Sequence, residues 1–473
     1  MATHGYTRAG KGCGAAAAFL WCLLSVCSDA VAAPTMALSG DRSYLVAPDG
    51  TAVFINGDTA WALMAQPTNS QIQTYLSNRQ AKGYNAIIVS LIEAKFAANA
   101  PANAVGDEPF SGAAFATPNE AYFARVDWIL QEAAARGITL VLAPAYVGYN
   151  CGDEGWCTQI QAASLATMRS YGRYLGNRYR AAPNIIWMIG GDTNPFTYNV
   201  DEKLVEMVMG IRELDAEHLM TAHVGSETSP QEIWGAPTWL DLSNVYTYSA
   251  SGTQAKTFTE YTRPNALPLF LVETAYENEH GSTPLSLRTS AYQAVLWGAR
   301  LGHFFGNCPI WPFGAPSAAG FCSPTNWQTQ LDSAGSTTVA HIGELMRSRR
   351  HWLMRPDHSN TVMTAGQGSG ATRAVTSRAS DGSSVIAYLP TRRQVTIDMT
   401  EIAGTSAKAW WWNPRTNAAT DAGTFATTGT QNFTPPDTND WVLVLDDAAA
   451  GFSAPGDGAG VQTPSAPSNL TAN

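Results

Sequence analysis

The feature that most narrows the fold is a recurrence. Short apolar runs of strand length alternate with segments of helical periodicity along 57–350. The strand-like runs are 57–61, 86–92, 139–146, 185–189, 219–224, 244–249, 269–272 and 303–311. Between them, Thr68-x-x-Gln71 has capping-box spacing, with Ile72, Tyr75 and Leu76 at helical intervals and Gly83 as the stop. Thr117-Pro118-Asn119-Glu120 reads as a second capping box ahead of Phe123, Val126 and Leu130. Helices are also expected over 159–180, 200–216, 285–301 and 339–350. Eight strand-like runs with helices between them imply a parallel sheet covered by helices, so the expected fold is an α/β (β/α)8 TIM barrel over 41–352.

Past Met354 the pattern changes. Short alternating runs at 371–378, 384–389, 394–399, 408–412 and 441–445 are separated by glycine, proline and polar turns. That is the signature of a small all-β sandwich over 354–447. The remainder, 448–473, is rich in Pro, Ser, Ala and Gly and reads as a flexible tail.

Two of the barrel strands end alike. Ile185 to Ile189 runs into Gly190, Gly191 and Asp192, and Leu269 to Val272 runs into Glu273. A carboxylate at the C-terminal end of a barrel strand sits where such barrels place their chemistry. Asp192 could instead cap the following helix. The two acids lie 81 residues apart, about three units of roughly 31 residues each. On an eight-strand ring they can face each other across the mouth, and two carboxylates flanking one bond are what glycoside hydrolysis requires.

Composition excludes several partners. A net charge of −10 disfavours nucleic acid and anionic membranes as partners, since both would be repelled. Arg8 and Lys11 precede an apolar run over 15–26, and Ala30-Val31-Ala32 offers a cleavage site, so 1–32 reads as an export signal. A secreted, periplasmic or cell-surface protein is expected, off the membrane once the signal is removed, and monomeric. Four cysteines follow the signal: Cys151, Cys157, Cys308 and Cys322. An even number in an exported chain suggests disulfides, with three pairings open; the local one would staple two loops. No cofactor or metal is expected, because no Cys-x-x-Cys or paired-histidine spacing occurs. Gly-x-Ser-x-Gly, His-Glu-x-x-His and P-loop motifs are also absent from the sequence.

Several motifs together resemble the apiosidase-like glycoside hydrolases, whose (β/α)8 domain precedes a β domain named for collagen binding. They are Gly57-Asp-Thr-Ala-Trp61, Tyr122-Phe123 with Val126-Asp-Trp128, Asn184-Ile-Ile-Trp with Gly190-Gly-Asp192, and His218-Leu-x-Thr-x-His223. Trp239-Leu-Asp241, Glu273-x-Ala-Tyr-Glu277 and the stretch 306–311 complete the set. The resemblance implies Asp192 as general acid/base and Glu273 as nucleophile of a retaining mechanism on an extracellular carbohydrate, a pentofuranoside such as apiose among the candidates. Val272, Phe305, Asn307 and Cys308 depart from the family's usual residues and leave the sugar open.

Supporting roles carry alternatives. His223 could hold a hydroxyl or orient a carboxylate, or be structural. Tyr246 or Tyr248 could donate to Glu273, with only one expected to face inward. Asp58 could bind sugar hydroxyls or merely form a turn, and Trp61 and Trp311 could stack on a sugar or fill the core. Glu277-Asn-Glu-His280 suggests a metal only weakly against ordinary loop solvation. The rival to an enzyme is a catalytically inactive polysaccharide-binding protein or adhesin on the same scaffold.

Overall fold

The computed structural model describes residues 36–322 and 326–457. The expected export signal and the end of the tail lie outside them. Eight parallel strands form the barrel: β1 (Ile55–Thr59), β2 (Ala86–Ser90), β3 (Thr139–Ala143), β4 (Ile185–Gly190), β5 (Met220–His223), β6 (Ser243–Tyr246), β7 (Leu269–Glu273) and β8 (Gly302–Phe305). The ladder runs β5-β4-β3-β2-β1-β8-β7-β6. Side chains help close the remaining seam. Asn244 Nδ2 donates to the Ala222 carbonyl at 2.7 Å and to Thr221 Oγ1 at 3.2 Å, and Thr221 Oγ1 donates to the Leu242 carbonyl at 3.0 Å. A small antiparallel sheet, Ala37–Leu38, Leu45–Val46 and Ala52–Val53, precedes the barrel.

The helices are α1 (Asn69–Ala81), α2 (Glu120–Ala134), α3 (Cys157–Ala162), α4 (Leu165–Tyr179), α5 (Asp201–Arg212), α6 (Pro230–Trp234), α7 (Ala250–Tyr261), α8 (Pro284–Val295) and α9 (Ala334–Arg347). Thr68 and Gln71 form the expected capping box of α1. At α2 the expectation shifts: Asn119, not Thr117, is the cap, accepting from the Ala121 N–H at 3.1 Å. The single helix expected over 159–180 is two, because Ser164 caps a new start by accepting from the Thr167 N–H.

The β domain contains β9 (Met354–Pro356), β10 (Met363–Ala365), β11 (Val375–Ala379), β12 (Ser384–Leu389), β13 (Val395–Asp398), β14 (Ser406–Asn413), β15 (Ala418–Ala426), β16 (Thr430–Phe433) and β17 (Trp441–Asp447). Six of these form one antiparallel sheet, β9-β11-β12-β17-β14-β15, and three form another, β10-β13-β16. The central strands of the larger sheet are buried on both faces, which explains why β12 and β17 are apolar at nearly every position. Val385, Ala387, Leu443 and Leu445 share a core with Val395, Ile397 and Phe433 of the smaller sheet. Ile386, Tyr388, Val442 and Val444 pack with Leu287, Tyr292 and Ile342 of the barrel helices. Alternate side chains thus serve two cores, as the pleat requires.

The two domains share this second core and two buried ion pairs. Arg288 on α8 makes a bidentate bond to Asp440 at 2.8 and 2.9 Å, and Arg349 another to Asp446 at 2.8 and 2.7 Å. Tyr292 stacks on Tyr388 with centroids 4.4 Å apart. The β domain therefore braces α8, which packs on the strand bearing Glu273, and α9, which packs on β8 and β1. The tail expected from 448 begins later than that: the Ser453 carbonyl accepts from Arg349 Nη2 at 3.0 Å, and Phe452 lies under the same guanidinium.

Candidate active site

At the C-terminal mouth of the barrel lies a cleft of about 780 Å³ lined by Asp192, His223, Glu273, Tyr248, Trp61 and Trp311 among others. Asp192 reaches it through a backbone that only the two preceding glycines permit. Gly190 has φ +94° and Gly191 φ +144°. A Cβ on Gly190 would come within 2.4 Å of the His223 carbonyl oxygen, and one on Gly191 within 2.4 Å of the Tyr146 ring. The chain so squeezed between β3 and β5 turns Asp192 into the left-handed region at φ +48°. Glu273 is aimed differently. The pairing of β7 with β6 slips between Leu271 and Glu273, and such a bulge re-aims the side chain at a strand end.

One histidine ties the two acids together. The Asp192 N–H donates to His223 Nδ1 at 3.0 Å, so that nitrogen carries no proton. The proton sits on Nε2, which donates to Glu273 Oε2 at 2.8 Å. His223 itself is pinned edge-on to Trp61, with centroids 5.5 Å apart, and Trp61 Nε1 donates to the Tyr276 hydroxyl at 2.9 Å. Burial, then the neighbouring Glu273 charge, pushes the Asp192 carboxyl up to about 6. The nearby His223 and Tyr246 side chains partly offset that rise.

The family model described as "Apiosidase-like, catalytic domain" matches residues 39–353. The chain belongs to that family. Residues 356–446 match a second model, "Putative collagen-binding domain of a collagenase". Among solved structures, a protein titled glycoside hydrolase superposes with a TM-score of 0.78 at 22% identity, over 88% of this chain and 97% of the other. A family 5 glycoside hydrolase from Bacteroides vulgatus gives 0.79 at 23% identity, over 91% and 96%. These two likenesses speak to the fold. No curated protein matches the sequence.

For an apiosidase-like glycoside hydrolase, the structure sorts the sequence candidates. Asp192, His223, Glu273, Trp61, Tyr248 and Trp311 all line one cleft. Trp311 is held edge-on by Phe96 at 4.6 Å. Tyr246 is buried beneath the cleft floor and its hydroxyl meets that of Tyr248 at 2.6 Å. The expectation that only one of the pair turns inward fails, because residues two apart along extended chain share a face and the two hydroxyls meet. Asp58 is corrected outright. It is fully buried on the helix side of β1, held by Arg79 and by the Tyr75 hydroxyl at 2.7 Å, and has no face open to a sugar.

Glu277 and Glu279 part company. Glu277 turns away to accept from the Gly335 N–H at 2.7 Å and Asn307 Nδ2 at 3.0 Å, anchoring the start of α9. Glu279 faces the cleft, accepting from the Tyr276 N–H at 3.2 Å with His280 at 3.3 Å. Among the described residues no group of three or more histidine, cysteine or acidic side chains is arranged to hold a metal. Disulfides Cys151–Cys157 and Cys308–Cys322 form, the local pairing. Each staples a loop that contributes to the cleft wall.

Sequence reasoning missed Tyr146, Glu93, Glu154 and Tyr276 as cleft residues. Tyr146 follows β3 as Asp192 follows β4, so the strand-end rule would have found it. Burial and the charges of Asp192, Glu273 and Glu154 hold its hydroxyl far above the usual phenol range, so it stays a proton donor. Glu93 spends one oxygen on the N–H groups of Ala94, Lys95 and Phe96, at 3.0, 3.1 and 3.0 Å.

Proposed function

We propose that the protein is an exported retaining glycosidase acting on a cell-wall or extracellular polysaccharide, with Glu273 as nucleophile and Asp192 as general acid/base. The observation that supports this best is the His223 bridge, which links the Asp192 backbone to the Glu273 carboxylate and thereby brings the two acids to one sugar-sized cleft. Their environments differ as the mechanism needs. Asp192 is pushed up to about 6, so it retains a proton to give to the leaving oxygen. Glu273 keeps one oxygen on the His223 N–H and presents the rest of the carboxylate to the anomeric carbon.

In the first step Glu273 attacks the anomeric carbon, the glycosidic C–O bond breaks, and Asp192 protonates the departing oxygen. In the second, Asp192 takes a proton from water, which displaces Glu273 and releases the sugar. The Tyr146 hydroxyl, among the two acids, is placed to donate to oxygen as charge develops. Trp61 and Trp311 offer ring faces to the sugar. Asp58 has no part in this and is read as scaffold.

A screen of plant and microbial glycans, including pentofuranose-capped ones, for released sugar is the first test. Release abolished by Asp192→Asn and by Glu273→Gln supports the proposal. Glycan binding that survives both substitutions, with no sugar released by the unsubstituted protein, would favour the adhesin instead.

A further inference from the structure

The cleft's charge is one-sided. Among the described residues five carboxylates line it, Glu93, Glu154, Asp192, Glu273 and Glu279, and no lysine or arginine does. Lys95, beside Phe96 of the lining, is already engaged: its Nζ donates to Asp153 Oδ1 at 2.6 Å and sits 5.9 Å from the Phe321 ring. A carboxylate on a bound sugar would find no opposite charge, only repulsion in a partly desolvated site where it is screened poorly.

Among these acids Glu154 stands apart. Glu93 is committed to three backbone N–H groups and Glu279 to Tyr276 and His280. Glu154 is only 8% exposed, lines the cleft, and is engaged in no ion pair or hydrogen bond among the described residues. Its oxygens are not sealed off and open onto the cleft, where the donors of an entering ligand can reach them. It lies on the Cys151–Cys157 loop after β3, the neighbour of the strand that ends at Asp192, and its charge is felt at Asp192. The disulfide fixes the loop, so the carboxylate is held in place before any ligand binds.

Building on the glycosidase reading, we infer that the cleft takes neutral glycans and rejects uronate-bearing ones, and that Glu154 accepts hydroxyl hydrogen bonds from the sugar on the Asp192 side. The chemistry of a neutral sugar suits such a wall: hydroxyls donate to carboxylates, in charge-assisted bonds roughly twice as strong as neutral ones.

The test uses a pectic polysaccharide extract and the same extract after chemical reduction of its uronic acids to neutral sugars, so that the backbones match and only charge differs. Sugar release by the full-length protein, and binding of Asp192→Asn to each by affinity electrophoresis, are both read. The reduced extract should be cleaved or bound about tenfold better at low salt, with the gap narrowing in about 0.5 M salt. Glu154→Gln should raise KM on the reduced extract several-fold with a smaller change in kcat, and Glu154→Arg should restore binding of the uronate-bearing extract. Equal or better handling of the uronate-bearing extract overturns the inference. So does a Glu154→Gln protein whose KM and binding are unmoved. If neither extract yields sugar but binding still favours the reduced one, hydrolysis is lost as a reading and the charge selectivity stands.

Discussion

Replacing the proposed acid should stabilise the protein while silencing it. Burial and the Glu273 charge move the Asp192 carboxyl from its ordinary 3.8 to about 6. Each unit corresponds to about 1.4 kcal/mol, so holding Asp192 ionised costs the folded state about 3 kcal/mol. Because the folded-state value is the higher one, the folded protein binds this proton more tightly than the unfolded chain. Stability from this group is therefore greatest below about pH 4 and falls as pH rises toward 6, after which the full cost is present. Asparagine has nearly the same shape and cannot ionise. Asp192→Asn should match the parent near pH 4 and exceed it by about 3 kcal/mol near pH 8. Urea unfolding of both proteins across that range measures the gap. A gap that does not widen with pH, or a variant less stable near pH 8, would show that Asp192 titrates normally in the fold and would remove the physical basis for its role as an acid.

Further outcomes follow from the same geometry. The alkaline limb of kcat/KM should fall with an apparent pKa near 6, as Asp192 loses its proton; a flat profile from pH 5 to about 8 would count against it. His223→Ala frees Glu273 and the Asp192 backbone together, so kcat should drop about a hundredfold with the fold retained; a loss confined to KM would make His223 a mere sugar contact. Asp58→Ala strands Arg79 in the core and should cost about 3–5 kcal/mol of stability. Its residual folded fraction should keep the parent KM, and a raised KM with unchanged stability would reinstate Asp58 as a ligand. Arg288→Ala, at the domain seam, should likewise cost about 3–5 kcal/mol; unfolding of the β domain alone, with the barrel's transition unmoved, would contradict the shared core.

The parts of this molecule legible in its sequence are those where one physical rule acts alone. Barrel strands such as 185–189 and 269–272 are buried on both faces and so show as unbroken apolar runs. The acids that end them were visible for the same reason. Helix α7 was not, because its inward positions Thr253, Lys256, Thr257 and Glu260 have helical spacing but are polar, satisfied by one another and by Arg263 and Glu232. Strand β15, Ala-Ala-Thr-Asp-Ala-Gly-Thr-Phe-Ala, is an edge strand with little buried surface and no alternation to read.

The site divides similarly. Asp58 and Asp192 look alike in sequence, each a carboxylate directly after glycine near the end of a barrel strand. Their fates are set by direction: Asp58 points at α1 and finds Arg79, whereas the Gly190-Gly191 turn rotates Asp192 into the cleft. Glu154 lies in a polar loop whose course depends on a disulfide, and a loop's placement is not written in local periodicity. Several residues that carry the family resemblance prove to be scaffold. Asp241 accepts the Met220 N–H at 3.0 Å and pairs with Arg212, and His218 bonds Asp215 at 2.8 Å.

The most direct test of two acids sharing one linkage is the configuration of the first product, read by NMR on a substrate from the glycan screen in dilute methanol, where the methyl glycoside formed cannot mutarotate. Double displacement through Glu273 predicts a methyl glycoside with the anomeric configuration of the substrate. An inverted methyl glycoside would contradict it, because Glu273 would then be activating the attacking alcohol rather than bonding to the sugar.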